Sequence, residues 1–383
     1  MKFVIAPDKF KGSLTGFEFC DAVEEGLSMV FPDAEILKMP LADGGDGTIE
    51  VVKHYLKGEK IMITANDPLF RPIKASYLYS AESNVAYVEM AEASGLNLLN
   101  KQERNCLYTS TFGTGELILD ALKKGAKEII VGVGGSATND GGMGMASALG
   151  YQFLDKNGRE LKPIGKNLVE VAKIDTSNVP RKLQEAKIKV ACDVSNPFHG
   201  MKGAAKVYAA QKGASLEEIE SLDKGLRNFS KIIMEKYAIE LQKIKGSGAA
   251  GGIGGGAIVF LNGKLNSGIE MIKELANFDI AIKNTDWIIT GEGKLDEQTL
   301  SGKTINGVVK SAKLNNTPVA AFCGSIDLSI EHQQKLGVIY ATSIVQGVSN
   351  LDQAMKFSFP NLVYTTYNFA NFLKFTYKGN YIR

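Results

Sequence analysis

The segment Lys2-Phe3-Val4-Ile5-Ala6-Pro7-Asp8 is an apolar run that ends in a turn signal and a carboxylate. Short apolar runs that close in the same way recur along the chain at 36–43, 128–134, 188–193, 287–291, 319–324 and 338–343. Nearly continuous apolar runs are typical of parallel strands that are buried on both faces of a sheet. Helical patterns lie between the runs, so the sequence predicts an α/β fold.

The segment 61–90 has a different pattern, because its apolar residues alternate with polar ones and turn signals interrupt it. Alternation of this kind predicts antiparallel strands and marks the entry into a second domain. The sequence therefore predicts two α/β domains. Residues 1–65 and 287–383 form a Rossmann-like or flavodoxin-like parallel-sheet domain, and residues 66–286 form an inserted mixed α/β domain. We expect the active site in the cleft between them.

The charge of the chain argues against a polyanionic partner. With 44 basic and 42 acidic residues the formal net charge is +2, which gives no general attraction for nucleic acid or an anionic membrane. The N-terminus has no signal-peptide pattern, and the apolar runs are far shorter than the roughly 20 residues that span a bilayer. We therefore expect a cytoplasmic protein. The oligomeric state stays open, with a homo-oligomer among the alternatives.

The four cysteines and three histidines are scattered along the chain. This spacing predicts buried cysteines in a reducing compartment and argues against a zinc site or a disulfide framework. A metal ion bound here should therefore take oxygen ligands, as Mg²⁺ does. The 41 glycines are clustered, which indicates backbone that closely approaches another group.

Acidic residues follow two of the predicted N-terminal strands. Asp8 precedes Lys9 and Lys11 in a loop, and ligands of open α/β sheets bind beyond the carboxyl ends of strands. Asp43 and Asp46 lie three residues apart among glycines, a pattern suited to Mg²⁺ or hydroxyl binding. A surface turn and a tight Asp-Gly turn are the alternatives without function.

The glycine-rich segment 131–144 follows a strand and leads into a helix. Successive backbone N–H groups in such a loop can form an anion nest, and Ser136, Thr138 and Asn139 add polar groups. The segment also fits the weak pattern Gly-x-Gly-x-x-Ala, with Asp155 after the next strand-like run. A dinucleotide-binding loop is therefore an alternative.

Three further segments carry candidate residues. Asp193 closes a predicted strand, and the segment 249–256 is a hinge, a close-approach loop or a flexible linker. In the segment 289–304, Glu292 lies between two glycines and Asp296 opens a polar turn. Its end, Ser301-Gly302-Lys303-Thr304, is similar to the end of a Walker A loop, but glutamate occupies the position of the required first glycine. The sequence therefore contains no P-loop.

Together these segments closely resemble class I glycerate kinases, bacterial enzymes that phosphorylate D-glycerate. The matching stretches occur in the family's order over most of the chain. They are APDKFKGSL (6–14), PLADGGDGT (40–48), GTGELI (113–118), GVGGSATNDGGMGM (132–145), ACDVSNPF (191–198), GAAGGIGGG (248–256) and TGEGKLDEQTLSGK (290–303). The resemblance implies a two-domain enzyme that uses ATP and Mg²⁺ and transfers phosphate to the 2-hydroxyl. An NAD-dependent hydroxy-acid dehydrogenase and a non-catalytic sugar-acid binding protein are the alternatives.

Phosphoryl transfer requires positioning and the neutralisation of spread negative charge. On this basis we predict a role for each candidate. The catalytic candidates are Asp193 as the base, Asp296 as the second choice, and Lys11. The substrate-binding candidates are Asp8, Lys9, Asp43, Ser136, Thr138 and Asn139. The phosphate-binding candidates are Gly134, Gly135, Gly252, Gly254 and Gly291, and the metal-binding candidates are Asp46, Asp193 and Glu292.

Overall fold

The structure is a computed structural model that describes residues 1–44, 48–297, 299–301 and 303–379. The chain divides into two compact units. Unit 1 consists of Met1–Val51 and Ile269–Arg383, and unit 2 consists of Val52–Gly268.

Strands and helices alternate along much of the chain. The strands are β1 (Lys2–Ile5), β2 (Glu35–Lys38), β3 (Glu59–Asn66), β4 (Pro72–Ser80), β5 (Val85–Glu89), β6 (Glu128–Gly132), β7 (Gln152–Leu154), β8 (Lys173–Asp175), β9 (Lys187–Ala191), β10 (Lys264–Asn266), β11 (Trp287–Thr290), β12 (Lys294–Leu295), β13 (Val319–Cys323), β14 (Ser325–Ile326) and β15 (Tyr340–Ser343). The helices are α1 (Gly16–Ser28), α2 (Thr48–Leu56), α3 (Ala91–Ser94), α4 (Phe112–Lys124), α5 (Met143–Ala148), α6 (Arg181–Glu185), α7 (Ala204–Tyr208), α8 (Leu216–Tyr237), α9 (Ala249–Leu261), α10 (Gly268–Leu275), α11 (Phe278–Ala281), α12 (Thr304–Leu314), α13 (Ile330–Leu336), α14 (Leu351–Lys356) and α15 (Ser358–Gly379).

The main sheet of unit 1 has five parallel strands in the order β2-β1-β11-β13-β15. Counted within the unit, this is the order 2-1-3-4-5 of flavodoxin-like sheets. The prediction of a Rossmann-like or flavodoxin-like parallel sheet is thereby confirmed. In such a sheet the strand order reverses between β1 and β11, and ligands bind outside the carboxyl ends of the strands at that switch point.

The core of unit 1 is built from the apolar runs that predicted the strands. Phe3 and Ile5 of β1 pack with Phe19 of α1 and Phe322 of β13, and all four side chains are fully buried. Burial of large apolar side chains is the main term that stabilises such a sheet and its helices. The helix α1 begins as its sequence predicts, because Thr15 and Glu18 form a reciprocal capping box.

The main sheet of unit 2 is mixed and has six strands in the order β10-β9-β6-β5-β4-β3. The pairs β3–β4 and β4–β5 are antiparallel, as the alternation in 61–90 predicts, and the other neighbouring pairs are parallel. The strands β7 and β8 form a separate antiparallel pair. None of the helices in the described ranges combines the length and hydropathy that crossing a bilayer requires.

The unit boundaries lie earlier in the chain than the proposed domain boundaries at 65/66 and 286/287. The strand β3, assigned to the first domain from its sequence, pairs along its whole length with β4, from Glu59 opposite Tyr79 to Asn66 opposite Pro72. Its backbone hydrogen bonds therefore belong to the sheet of unit 2, which begins at Val52. The sequence shows an alternating strand but not which partner completes its ladder.

Candidate active site

Unit 1 carries two of its acidic residues where its central strands end. Asp8 follows β1 and Glu292 follows β11, the strands on either side of the switch point. The backbone N–H of Asp8 donates to the carbonyl oxygen of Gly291 at 2.9 Å, which holds the two loops side by side. The order of the strands therefore brings together carboxylates that are 284 positions apart in the sequence (292 − 8).

The packing of the end of β11 against β13 and α1 requires a glycine at position 291. A Cβ atom there would lie 2.1 Å from the carbonyl oxygen of Phe322 and 2.6 Å from the ring of Phe19. Such distances are far below van der Waals contact, so a larger residue would displace the strand end that carries Glu292. This packing accounts for Gly291, whose phosphate-binding role remains a prediction.

A cavity of about 450 Å³ opens at these strand ends. Its lining contains four acidic residues and four lysines, together with Gly293. The acidic residues are Asp8, Asp43, Glu292 and Asp296, and the lysines are Lys9, Lys11, Lys294 and Lys303. We call this cavity the crevice. It unites six of the residues predicted from the sequence, and it adds Lys294 and Lys303, of which Lys303 belongs to the segment that imitates a Walker A loop.

Two carboxyl groups of the crevice, those of Asp8 and Glu292, are hard to ionise. Burial raises the pKa of Asp8 to about 6, and the negative charge of Asp43 adds to this effect. Burial likewise raises the pKa of Glu292 to about 7, with contributions from Asp8 and Asp296 in the same direction. Carboxylates that repel one another in this way are stabilised by a bound cation.

Two threonines fix the orientation of these carboxyl groups. Thr304, the first residue of α12, donates its hydroxyl to Oδ2 of Asp8 at 2.5 Å, while Oδ1 accepts the backbone N–H of Lys9 at 2.7 Å. Thr299 donates its hydroxyl to Oε1 of Glu292. Both threonines are fully buried, so these bonds are protected from competing water. Sequence reasoning assigned no role to either threonine, although Thr304 ends the segment that is similar to a Walker A loop.

The crevice is chemically suited to Mg²⁺ that arrives with a phosphate-bearing ligand. Carboxylate oxygen is the ligand type that Mg²⁺ prefers, and one or two carboxylates with water and phosphate oxygens complete its shell. Within the described residues, no three His, Cys, Asp or Glu side chains are placed to hold a metal ion by themselves. Of the predicted metal ligands, Glu292 lines the crevice, Asp193 belongs to unit 2, and Asp46 lies outside the described residues.

In unit 2, the glycine-rich loop between β6 and α5 is organised by a buried carboxylate that the sequence did not single out. Asp140 accepts four hydrogen bonds, two from the N–H and hydroxyl of Thr111 at 2.8 Å and two from the N–H groups of Gly142 and Gly144 at 3.1 Å. Burial raises the pKa of Asp140, and the four donors oppose that effect. Asp140 therefore holds the loop against the start of α4.

The same loop rests on a buried lysine. The Lys212 ammonium donates to Oγ of Ser136 and to the carbonyl oxygen of Thr138, both at 2.7 Å. Burial lowers the pKa of Lys212 to about 8, an effect that Cys106 and Asp140 partly offset. Lys212 lies in no recognisable motif, so sequence reasoning missed it. It contributes a positive charge to the loop at the position where an anion nest was predicted.

Two polar side chains of the loop have no hydrogen-bond partner in the described structure. These are Thr138, through Oγ1, and Asn139, through both Oδ1 and Nδ2, and both residues are fully buried. Buried polar groups in native proteins are nearly always bonded to protein, water or ligand. Their state fits the predicted role in substrate binding, because a carboxylate or hydroxyl group of a ligand would satisfy them.

The candidate phosphate-binding glycines of unit 2 fall into two classes. Gly134 and Gly135 lie in an exposed turn after β6, where their backbone is accessible to an anion. Gly252 and Gly254 are buried. A Cβ on Gly252 would lie 2.9 Å from Cα of Gly141, and a Cβ on Gly254 would lie 2.4 Å from the carbonyl oxygen of Gly246. The segment 249–256 is thus a close-approach segment, one of its three predicted alternatives, and packing accounts for its glycines.

Asp193 lies in unit 2, just after β9, and its side chain is exposed. Its Oδ1 accepts the backbone N–H of Gly268 at 3.0 Å. The same loop is held by Asn196, which accepts the hydroxyl of Tyr208 at 2.6 Å and donates to the carbonyl oxygen of Lys202 at 2.9 Å. The carboxylate is accessible and oriented, as a general base requires.

The dinucleotide-binding alternative is contradicted by the position of Asp155. In a dinucleotide-binding fold, the acidic residue after the glycine loop ends the next parallel strand of the same sheet. Asp155 instead follows β7, which pairs with β8 in a separate antiparallel sheet. Its carboxylate accepts the N–H groups of Asn157 and Arg159 at 2.8 and 2.9 Å in an exposed turn. It therefore stabilises a surface loop.

A family model described as the glycerate kinase family matches residues 3–374. The chain belongs to the glycerate kinase family. It is 46% identical to the glycerate kinase of Halalkalibacterium halodurans over 92% of this chain and 93% of that protein. It is 39% identical to glycerate 2-kinase of Escherichia coli K12 over 97% of each chain. Membership in this family identifies the chain as a phosphotransferase with ATP as its phosphate donor.

The fold agrees with a solved structure of the same family. The crystal structure of the Salmonella typhimurium LT2 protein assigned as glycerate kinase 2 matches with a TM-score of 0.89 and 39% sequence identity. The match covers 99% of both chains. The α/β fold class predicted from the sequence and the resemblance to glycerate kinases are thereby confirmed.

Proposed function

We propose that the chain transfers the γ-phosphoryl group of ATP to the 2-hydroxyl of D-glycerate, which yields 2-phosphoglycerate and ADP. Relatives named glycerate kinase and glycerate 2-kinase, aligned over more than nine-tenths of the chain, support this substrate. The structural observation that carries the proposal is the crevice, where carboxylates and lysines meet at the switch point of a parallel sheet. We expect the enzyme to act in the cytoplasm, where ATP is available.

On the donor side, the lysines of the crevice neutralise charge. Lys11 and Lys303 bind phosphate oxygens of ATP and stabilise the negative charge that spreads during transfer. Glu292 and Asp43, which line the crevice, would hold Mg²⁺, whose charge helps to neutralise the phosphates. Asp46, the other metal ligand predicted beside Asp43, lies outside the described residues. The raised pKa of Glu292 supports this role, because a cation would relieve the repulsion among the carboxylates.

On the acceptor side, the glycine loop of unit 2 offers donors for a small hydroxy acid. Ser136, Thr138 and Asn139 bind glycerate, and the exposed turn at Gly134 and Gly135 binds an anionic group through its backbone. The unsatisfied side chains of Thr138 and Asn139 support this assignment. Asp8 and Lys9 were also predicted to bind substrate. Both line the crevice, so we propose that they bind substrate there.

The chemical step needs one proton acceptor. The 2-hydroxyl oxygen of glycerate bonds to the γ-phosphorus, the bond from that phosphorus to the β–γ bridging oxygen breaks, and ADP leaves with the electron pair. The hydroxyl proton passes to a carboxylate as the transfer proceeds. We assign this role to Asp193 first and to Asp296 second.

A product assay tests the proposal. Purified protein with D-glycerate, ATP and Mg²⁺ should release ADP, and added enolase should convert the product to phosphoenolpyruvate without phosphoglycerate mutase. Release of ADP with an enolase-resistant product would place the phosphate on the 3-hydroxyl. The kinase assignment would be wrong if glycerate and NAD gave an increase in the absorbance of reduced nicotinamide. It would also be wrong if the protein bound glycerate without consuming ATP.

A further inference from the structure

A second cavity of unit 1 lies beside the crevice and differs from it in character. It has a volume of about 580 Å³, and Phe10, Ile344, Val345, Ala354 and Met355 contribute apolar walls. Among its described lining residues, Lys11 carries the only charge. Ligand pockets of 300–1,000 Å³ with apolar walls and a few polar groups are typical of small-molecule sites.

The cavity is placed where this kind of sheet binds ligands. Gly324 and Ser325 follow β13, and Ile344 and Val345 follow β15, so the cavity lies at the carboxyl ends of these strands. In parallel α/β sheets, ligands bind at this edge. The crevice occupies the same edge at β1 and β11, so the two cavities form consecutive parts of one ligand-binding edge.

The wall of the cavity is fastened by hydrogen bonds. The carbonyl oxygen of Met355 accepts the hydroxyl groups of Ser13 at 3.0 Å and Ser358 at 2.8 Å, and the two serine oxygens are 2.5 Å apart. A Cβ on Gly12 would lie 2.8 Å from the terminal methyl group of Met355. The helix α14 is therefore fixed against the loop that follows β1, which gives the cavity a defined shape.

The two cavities share Lys11 and Gly293. A ligand that occupies both would need an apolar, ring-sized end and a polyanionic end, joined at Lys11. A nucleoside triphosphate has this distribution of polarity and charge. We propose that the apolar cavity binds the nucleoside of ATP, with the triphosphate passing Lys11 into the crevice. This inference rests on the proposed use of ATP and adds the location and orientation of the donor.

Filling the cavity tests the inference. Ala354 is partly exposed on α14, so Ala354→Trp should fold while its indole occupies the space of the base. Calorimetric titration with ADP, in the absence of glycerate and turnover, should give a Kd raised at least ~10-fold, equivalent to about 1.4 kcal/mol. The affinity for inorganic tripolyphosphate, measured by its competition with ADP, should stay near wild type. The KM for glycerate should also be unchanged, because neither ligand has a base.

Two further variants make the result decisive. Val345 lines the cavity just after β15, so Val345→Trp should fill the cavity from another side and weaken ADP binding as well. The inference can therefore still be tested if Ala354→Trp does not fold. Leu314→Trp adds the same side chain at a site that is 85% exposed, at the end of α12, and should leave ADP binding unchanged. Far-ultraviolet circular dichroism and melting curves verify that each variant is folded.

The outcomes separate the two proposals. If the wild-type protein neither binds ADP nor phosphorylates glycerate, the proposed function fails. If the wild type does both and folded cavity variants bind ADP with unchanged affinity, the nucleoside inference alone is overturned. Sedimentation analysis covers the other occupant, a second copy of the chain. A wild-type dimer that Ala354→Trp converts to a monomer with unchanged ADP binding would also overturn the inference.

Discussion

The crevice of unit 1 and the glycine loop of unit 2 present charge in opposite ways. In the crevice, carboxylates and lysines line an open cavity, and burial raises the pKa of Asp8 and Glu292. In the loop, the Lys212 ammonium is buried beneath the backbone, and the side chains of Thr138 and Asn139 are neutral. The first arrangement suits a ligand with several charges and a metal ion. The second suits a small anion that also needs hydroxyl recognition.

The difference has an energetic meaning. Ionised carboxylates that are crowded in a cavity destabilise the folded protein until a cation binds, so the crevice sacrifices stability for metal affinity. The loop instead satisfies most of its polar groups internally, through Asp140 and Lys212. Substitutions in the crevice should therefore separate activity from stability, whereas substitutions in the loop should affect both.

The largest effect is expected from Glu292→Gln. Loss of a metal-binding charge should lower kcat/KM for ATP by about 10³-fold, measured by ADP release at pH 8. The pKa of Glu292 is about 7 in the folded protein and 4.5 ordinarily, so between these pH values the folded state binds more protons than the unfolded state. Stability therefore falls as the pH rises through this range, and ionised Glu292 destabilises the fold above pH 7. The variant should therefore be more stable at pH 8, by about 1–3 kcal/mol in urea denaturation.

The control for this variant is Glu297→Gln. Its side chain is 79% exposed and belongs to the same turn, so the substitution should leave both activity and stability near wild type. A fully active Glu292→Gln enzyme would remove Glu292 from the metal site. A variant that is less stable than wild type at pH 8 would show that the ionised carboxylate does not destabilise the crevice.

The proton acceptor gives the next effect. Asp193→Asn should lower kcat by about 10²-fold, with KM for ATP nearly unchanged, because the amide keeps the shape but accepts no proton. Asp155→Asn provides a matched control on a surface turn of the same unit. If Asp193→Asn retains an ordinary kcat while Asp296→Asn loses it, the base belongs to the crevice and not to unit 2.

Lys212→Met tests the buried cation of the loop. Loss of its bonds to Ser136 and Thr138 should raise KM for glycerate by ~10-fold and leave ADP binding unchanged, and Lys224→Met on the exposed face of α8 is the control. Since the folded pKa of about 8 lies below the ordinary 10.5, wild-type stability should rise between these pH values. Urea denaturation of Lys212→Met should show no such rise in the free energy of unfolding. If the variant's stability depended on pH as the wild type's does, Lys212 would be excluded as the cause of the rise.

The smallest effect is expected from Thr304→Val. The loss of one hydrogen bond to ionised Asp8 should raise the pKa of that carboxyl further above 6. The acidic limb of the kcat/KM profile should then move upward by roughly half a pH unit, with a loss of less than ~5-fold at pH 8. Thr64→Val, at an exposed position of β3, is the control. A pH profile that matches the wild type would show that Thr304 does not set the ionisation of Asp8.

The parts of the fold that follow from local pattern could be predicted. The buried runs at 2–8 and 287–291 predict parallel strands; Asp8 ends the first run and Glu292 directly follows the second. The pairing of β1 with β11 could not be derived from periodicity, because it depends on contacts across the whole inserted segment. For the same reason, the partner of β3 was not predictable, although its alternating pattern was.

The site shows the same division. Asp8, Asp43, Glu292 and Asp296 were accessible to sequence reasoning, because acidic residues beside glycines at strand ends are a recognisable signal. Lys212 follows its partner Ser136 by 76 residues, and only the folded chain brings an unremarkable lysine beneath the loop. Gly252 and Gly254 show the converse, because glycine is required there by backbone packing that sequence cannot distinguish from phosphate binding.

The four hydrogen bonds accepted by Asp140 have a consequence for the motion of the loop. A segment with so many glycines would, in isolation, sample many conformations and exchange its amide hydrogens rapidly with deuterium. Because their N–H groups donate to one buried carboxylate, the amides of Thr111, Gly142 and Gly144 should exchange slowly with deuterium, unlike those of a free glycine-rich segment. The conformational entropy of the loop is thus lost when the protein folds, and little of it remains to oppose the capture of an anion.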